Sequence, residues 1–200
     1  MVIRALQAWL VPSQAPKLAA IWLAAIWLAL LAVPARAADP AVVFMDKVAR
    51  DLLAATRSKS PALITAAVHR FADTSYIGSY SLGNYRGQLT PNDRPGYLSG
   101  MVRFIGRYAA NEGPKYPVAS YRITGSQKSA QGVMVDSVIT MRDGSSYDVR
   151  WLLTQRGGTY RVRDAMVYGF WMTPFLRKLF ENYIAENGGN VRALVAVLTR

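Results

Sequence analysis

The chain has no cysteine and a single histidine, His69, and its 12 acidic residues are half as many as its 24 basic ones. Lack of cysteine removes any disulfide framework, thiolate nucleophile or sulfur ligand. It is compatible with an oxidising compartment, because 200 residues suffice to build a core without cross-links. One histidine rules out a zinc centre built on a histidine cluster. His69 lies between Val68 and Arg70 in a mainly apolar helical stretch, with no nucleophile positioned beside it, and reads as structural or surface rather than as a general base. Asp136, Asp143, Asp148 and Asp164 could meet across a sheet. Solvent exposure, a turn, or pairing with Arg122, Arg150, Arg161 and Arg163 is the commoner use of such residues, and a carboxylate-driven hydrolase is not indicated. The glycines of 83–87 and of Gly157-Gly158 lack the strand, helix and lysine of a phosphate loop. No internal repeat, low-complexity linker or second domain boundary is visible.

Basic residues are in excess, and the net charge is +12. Arg4, Lys17 and Arg36 precede residue 38 while every acidic residue follows it, so the part after residue 37 carries 21 minus 12, or +9. Such a field favours anionic partners. Arg86, Arg103 and Arg107 interleave with Tyr76, Tyr80, Tyr85, Tyr97 and Tyr108, which is chemistry a nucleic acid could use. Many of these aromatics recur at helix-core spacing, however, so an anionic membrane or acidic protein surface is the better match and no nucleic-acid partner is expected.

The first residues point outward. Residues 18–33 are an almost unbroken apolar run, preceded by Arg4 and Lys17 and closed by Pro34, after which Ala35-Arg36-Ala37 gives a small-x-small cleavage pattern. Sixteen residues are short for a crossing that takes about 20. Residues 1–37 are therefore expected to be a signal peptide cleaved after Ala37, with an uncleaved anchor as the alternative, and 38–200 a single domain in the periplasm.

Within that domain, apolar spacing predicts helices over 40–55 and 61–71, a short one from Asp73 or Thr74 to near Gly83, and a long one over 92–110. Strands follow over 118–124, 132–142, 146–154 and 159–168, with Asp143-Gly144 and Gly157-Gly158 as reversals. In the last strand Tyr160, Val162 and Met166 are expected to share one face, with Arg161 and Arg163 pointing away. After a Gly169 corner, Thr173 reads as the N-cap of a helix whose Phe175, Leu176, Leu179, Phe180, Tyr183 and Ile184 would cover the sheet, and Asn190 caps a final helix. The fold class is α+β: a curved antiparallel sheet of about four strands, covered on one face by helices.

Periodicity names the inward face without saying whether the centre is filled. Three readings stay open: a carrier with an apolar cavity, a non-catalytic cell-envelope assembly protein with a filled core, and a curved-sheet enzyme in which His69 meets an acidic side chain at a pocket mouth.

Tyr160-Arg161-Val162-Arg163-Asp164, the Gly169 corner, Arg177 and Phe180 on the next helix, and Gly188 followed by Leu194 and Leu198 resemble the late signature of the periplasmic phospholipid-binding subunit family of the Mla system, also called the toluene-tolerance or ABC-transporter auxiliary family. The earlier part of the resemblance is Tyr80-Ser81-Leu82-Gly83-Asn84-Tyr85, Leu89-Thr90, and Phe104 and Tyr108 on the long helix. Phe170-Trp171-Met172 stands where family members commonly place serine, a departure resembling the hopanoid-biosynthesis-associated branch.

The resemblance implies a non-enzymatic carrier without cofactor or metal. It would move a phospholipid or hopanoid-related lipid between membranes, with an inner-membrane MCE-domain transporter and an outer-membrane lipoprotein complex as partners. On that reading the cavity would be lined by Tyr97, Met101, Ile105, Val133, Val135, Val149, Trp151, Leu153, Val162, Met166, Phe175 and Leu179. About half of these are expected to touch cargo and the rest to be plain core. Arg86, Arg103 and Arg107 are candidates for headgroup or partner contact. The leader supplies the first test: protein recovered from the envelope of an expressing cell should begin at Ala38 by intact mass, and a mass retaining the 18–33 run would show an anchor instead.

Overall fold

The computed structural model describes residues 38–200, so the expected leader over 1–37 and its cleavage point lie outside the described residues. The chain first forms α1 (Pro40–Arg57), α2 (Pro61–Phe71), α3 (Thr74–Ser81), a 3₁₀ turn (Gly83–Gln88) and α4 (Arg94–Glu112). It then runs through β1 (Val118–Ser129), β2 (Gly132–Met141), β3 (Ser146–Arg156), β4 (Thr159–Val167) and β5 (Phe170–Trp171), and ends in α5 (Met172–Glu186) and α6 (Val191–Thr199).

Local chemistry accounts for most helix starts. Asp39, Ser60, Asp73 and Asn190 each accept a hydrogen bond from a backbone N–H in the first turn of the helix that follows, and Pro40 and Pro61 sit where no N–H is needed. Helix α5 begins differently. Thr173 is not its N-cap: its N–H donates to the Asp164 side chain of β4 at 2.8 Å, and its hydroxyl donates to Arg163 O.

The sheet is an antiparallel meander in the order β1-β2-β3-β4-β5, one strand more than the sequence suggests. The extra strand exists because Tyr168 and Gly169 both adopt left-handed φ, 52° and 80°, giving a two-residue reversal that pairs Val167 with Phe170 and Met166 with Trp171. On the inner face the register aligns Ile123, Ser137, Val149, Val167 and Phe170 in one row, and Val135, Trp151 and Ala165 in the next.

Alternation fails once, in β4. Leu152 pairs with Asp164 and Leu153 with Val162, which leaves Arg163 as the extra residue of a β-bulge. Tyr160 and Val162 therefore face inward while Met166, paired with Arg150, faces outward, and Ala165 takes the inward place expected for Met166. The bulged Arg163 side chain lies over the Tyr76 ring, 4.3 Å from its centroid, and donates from Nη2 to Asp73 Oδ2 at 3.3 Å and Thr154 Oγ1 at 3.1 Å. Asp73 N–H in turn donates to Val162 O at 2.8 Å, so the α2–α3 corner is pinned to β4 by backbone and side chain together.

Apolar side chains gather in two main clusters that share no residue. The helical one joins Leu82, Tyr97, Met101, Val102, Leu176, Phe180, Ile184, Leu194 and Leu198 from α3 through α6; the sheet one joins Met45, Val48, Ala67 and Phe71 of α1 and α2 to Val135 and Leu153. Arg163 and Asp73 are both largely withdrawn from water at the meeting of β4 and α3. Replacing Arg163 by Met should destabilise the fold by about 3 kcal/mol, because it leaves the Asp73 carboxylate buried and unpaired. Asp73→Asn in the same chain, which keeps the cap on Tyr76 N–H, should recover part of the loss in urea unfolding. Equal midpoints for wild type and Arg163→Met would refute this account.

Candidate functional site

Helix α5 is apolar on two sides. Leu176, Phe180 and Ile184 are buried in the helical cluster, whereas Phe175 and Leu179, one turn apart on the neighbouring stripe, remain 52% and 40% exposed. Most amphipathic helices bury their one apolar stripe; here a second stripe stays exposed among the described residues. The sheet has a matching surplus. Ile139, Tyr147, Val149, Ala165 and Val167 occupy the inner face beyond the Val135–Trp151 pair and belong to neither packed cluster.

The polar atoms of this inner face are satisfied internally. Trp151 Nε1 donates to Ser137 Oγ at 2.9 Å, and the Ser137 hydroxyl donates to Val149 O at 3.1 Å. Ser137 is buried and Trp151 half-buried, so the pair presents indole carbon rather than open donors. Sequence reading missed Ser137 because a serine in an apolar alternation looks like an interruption; its register opposite Val149, diagonal to Trp151, was the available signal.

The predicted lining residues are distributed unevenly. Tyr97 and Met101 are fully buried in the helical cluster, with Ile105 half-buried against it. Tyr97 Oη donates to Gly78 O at 2.9 Å, and burial pushes its phenol far above the ordinary tyrosine value. Val135 and Leu153 are fully buried in the sheet cluster, with Val133, Trp151 and Val162 half-buried around them. Val149 is buried beyond the Val135–Trp151 pair, Phe175 and Leu179 lie on the exposed stripe of α5, and Met166 lies on the opposite face for the reason given above.

Among the candidate arginines, Arg86 borders a cleft of about 440 Å³ between α3, the 3₁₀ turn and the start of α4, together with Ser75, Ser79, Leu89 and Arg94. Arg103 and Arg107 are half-buried further along α4 and are not among its walls. The 3₁₀ turn is held by α5: Glu181 accepts from Asn84 N at 2.9 Å and pairs with Arg177 at 3.1 Å, and Arg177 lies 5.7 Å from the Tyr80 ring centroid. A Cβ on Gly83 would run into that carboxylate, which explains the glycine between Leu82 and Asn84.

Of the four aspartates weighed for catalysis, Asp136 pairs with Arg150 at 2.7 Å on the outer face, Asp143 closes its own turn through Ser145, and Asp148 is exposed. His69 is exposed on α2. Among the described residues no group of three or more His, Cys, Asp or Glu could hold a metal ion, and no helix is long and apolar enough to cross a membrane.

These features define an α+β protein with a five-stranded open sheet and a helix, α5, that keeps an exposed apolar stripe beside its buried one. The sequence profile of the MlaC protein family matches residues 44–200, and the chain belongs to that family. Among solved structures, a phospholipid-binding protein from Ralstonia solanacearum, determined in complex with a phospholipid, has the same fold with a TM-score of 0.62. It is 18% identical in sequence, and the match covers 80% of this chain and 95% of that one. No curated protein matches the chain.

Asp164 gives a pH test of how α5 is attached. Burial raises its pKa above the usual 3.8, although Thr173 and Ala165 N–H groups both donate to it. The folded state thus holds this proton more tightly than the unfolded chain. The Asp164 contribution to stability falls as pH rises from 3.8 to the higher folded value, and the loss is complete above it. Asp164→Asn, which keeps an acceptor for Thr173, should be more stable than wild type in urea at pH 7, with the gap closing as pH falls toward 3.8. A less stable variant at pH 7 would show that the carboxylate is net stabilised by the start of α5.

Proposed function

We propose that the protein is a periplasmic lipid carrier that holds acyl chains between the uncovered stripe of α5 and the open stretch of the sheet's inner face. The observation that carries this reading is the second apolar stripe of α5, Phe175 and Leu179, exposed among the described residues while the neighbouring stripe is packed. Membership of the MlaC family supports lipid binding and transport, and the phospholipid complex of the Ralstonia protein supports phospholipid as the class of cargo.

The energetics agree. Each exposed CH₂ of an acyl chain costs about 0.8 kcal/mol in water, so a carrier must cover the chain along much of its length. The small cluster of Ala55, Ile64 and Ala110, with Val68 packed on the helical cluster as well, holds α1 and α2 to α4, so the space for cargo has to widen along α5 and the sheet rather than by parting the two main clusters. Val149, Trp151, Phe175 and Leu179 would touch the chains, and Arg86, Arg103 or Arg107 a headgroup or partner. Tyr97, Met101, Val135 and Leu153 would serve as the packed walls behind them. The finer parts of the proposal are a phospholipid or hopanoid-related cargo, passage between membranes, and exchange with an inner-membrane MCE-domain transporter and an outer-membrane lipoprotein complex.

Full burial of Tyr97, Met101, Val135 and Leu153 favours the second reading, an envelope assembly protein with a filled core. Native mass spectrometry of gently purified, exported protein separates the two. The carrier should show added mass that extraction identifies as lipid, and Phe175→Asp with Leu179→Asp should lose it while unfolding at an unchanged urea midpoint, since both side chains are already exposed. Apo mass throughout, even after incubation with lipid, would leave the filled-core reading.

A further inference from the structure

At one end of the sheet the chain displays aromatic rings where a soluble protein has reason to avoid them. Tyr168 occupies the first position of the β4–β5 reversal with φ 52°, a conformation that favours Asn, Asp or Gly and that a ring-bearing residue rarely adopts. Its ring stands edge-on to Tyr147, centroids 4.8 Å apart, and is still 54% exposed. Phe170, which ends the inner-face row that runs through Ser137, Val149 and Val167, is 71% exposed, the highest value among the large apolar side chains of the described residues. Tyr116, also exposed, leads into β1 at this end, where Pro117 O accepts from Arg142 N at 2.9 Å. Helix α5 leaves from the same corner with its uncovered stripe. The apolar lining proposed for the cargo is therefore continuous with the tip.

We infer that this tip is a membrane-docking element that seats on an anionic phospholipid bilayer and turns the open edge of the acyl-chain cleft toward the lipid. The inference rests on the carrier reading for what passes through that edge, but not for the contact itself. Tyr and Phe rings on a protruding turn match the boundary between headgroups and acyl chains, where one end of each ring can be wet and the body apolar. Charge fits the same occupant. The attraction comes from the field of the whole domain, since residues 38–200 carry +9 and Arg142 and Lys178 are exposed without an ion-pair partner among the described residues, whereas Asp143 and Asp148 put negative charge at the tip. A second copy of the chain is a poorer fit. A few half-exposed rings offer on the order of 400 Å², below the roughly 800 Å² per partner of a stable protein interface.

The test is vesicle co-sedimentation of exported, processed protein with phosphatidylethanolamine vesicles containing phosphatidylglycerol, compared with phosphatidylcholine vesicles. Wild type should bind the former more strongly and lose binding as salt rises. Tyr168→Asn with Phe170→Thr should fold as well as wild type, because Asn suits a left-handed turn and Thr an edge strand. The double variant should bind vesicles about tenfold or more weakly while native mass spectrometry shows its lipid content unchanged. Wild type that fails to sediment, a variant that binds equally well, or a self-association in solution that the variant abolishes would each overturn the proposal. Parallel loss of lipid and vesicle binding would overturn it too, by assigning Phe170 to the cargo cleft. Vesicle binding by a protein that never carries lipid would uphold the docking and sink the carrier reading.

Discussion

Strand β4 is the constraint on which the rest of the architecture depends. One edge of it pairs with β3, while the other takes, in sequence, the α2–α3 corner through Val162 O, the start of α5 through Arg163 O and the Asp164 side chain, and the short β5. An edge strand normally presents a row of open donors and acceptors that invites aggregation. Here the row is filled by three different elements, and each filling sets the direction of something that follows. The helical cluster and the sheet cluster are thus attached to the same nine residues, although they exchange no side chains.

The bulge at Arg163 makes this possible. By adding one residue it reverses which side chains face inward beyond Val162, replacing the bulk of Met166 with the small Ala165 and rotating the last part of β4 relative to the first. It also aims a guanidinium at Asp73 and Tyr76 that an unbroken alternation would have sent to solvent. The consequence is asymmetry along the inner face: one end is packed by α1 and α2, whereas past the bulge Ser137 and Val149 are buried and Ile139, Tyr147, Ala165 and Val167 half-buried without joining either main cluster.

Much of the fold is legible in the sequence because short-range chemistry decides it. Proline and a capping side chain fix the starts of α1 and α2, and the spacing of large residues on β3 fixes its inner face. What could not be read has a common origin in long-range effects. Thr173 has the look of an N-cap, yet the donor it supplies is met by a carboxylate nine residues earlier on β4. Met166 keeps the period of an ideal strand, and no local signal announces the extra residue at Arg163. The strand β5 is hidden in the Tyr168-Gly169 reversal, because tyrosine at a left-handed position is a poor turn signal. Aromatic and aliphatic residues at helical spacing on α5 identify two apolar stripes without telling which one the protein covers.

That last ambiguity is where fold and function separate. Leu176, Phe180 and Ile184 meet Tyr97 and Leu194 because α4 and α6 are there to meet them; Phe175 and Leu179 lie a fraction of a turn away and stay exposed. A globular protein that only needed stability would place polar residues on that stripe, since exposed leucine and phenylalanine contribute little to folding and promote association. The same holds at the sheet's end, where an exposed phenylalanine follows a strained tyrosine. Both departures lie on one side of β4, downstream of the bulge, and both fit apolar matter that is not protein. Exposed apolar side chains also occur singly on the α1–α2 cap, at Val43 and Leu63, and on α4, at Tyr108; on α5 and at the sheet's end they come in neighbouring pairs, and there selection for something other than stability can be seen.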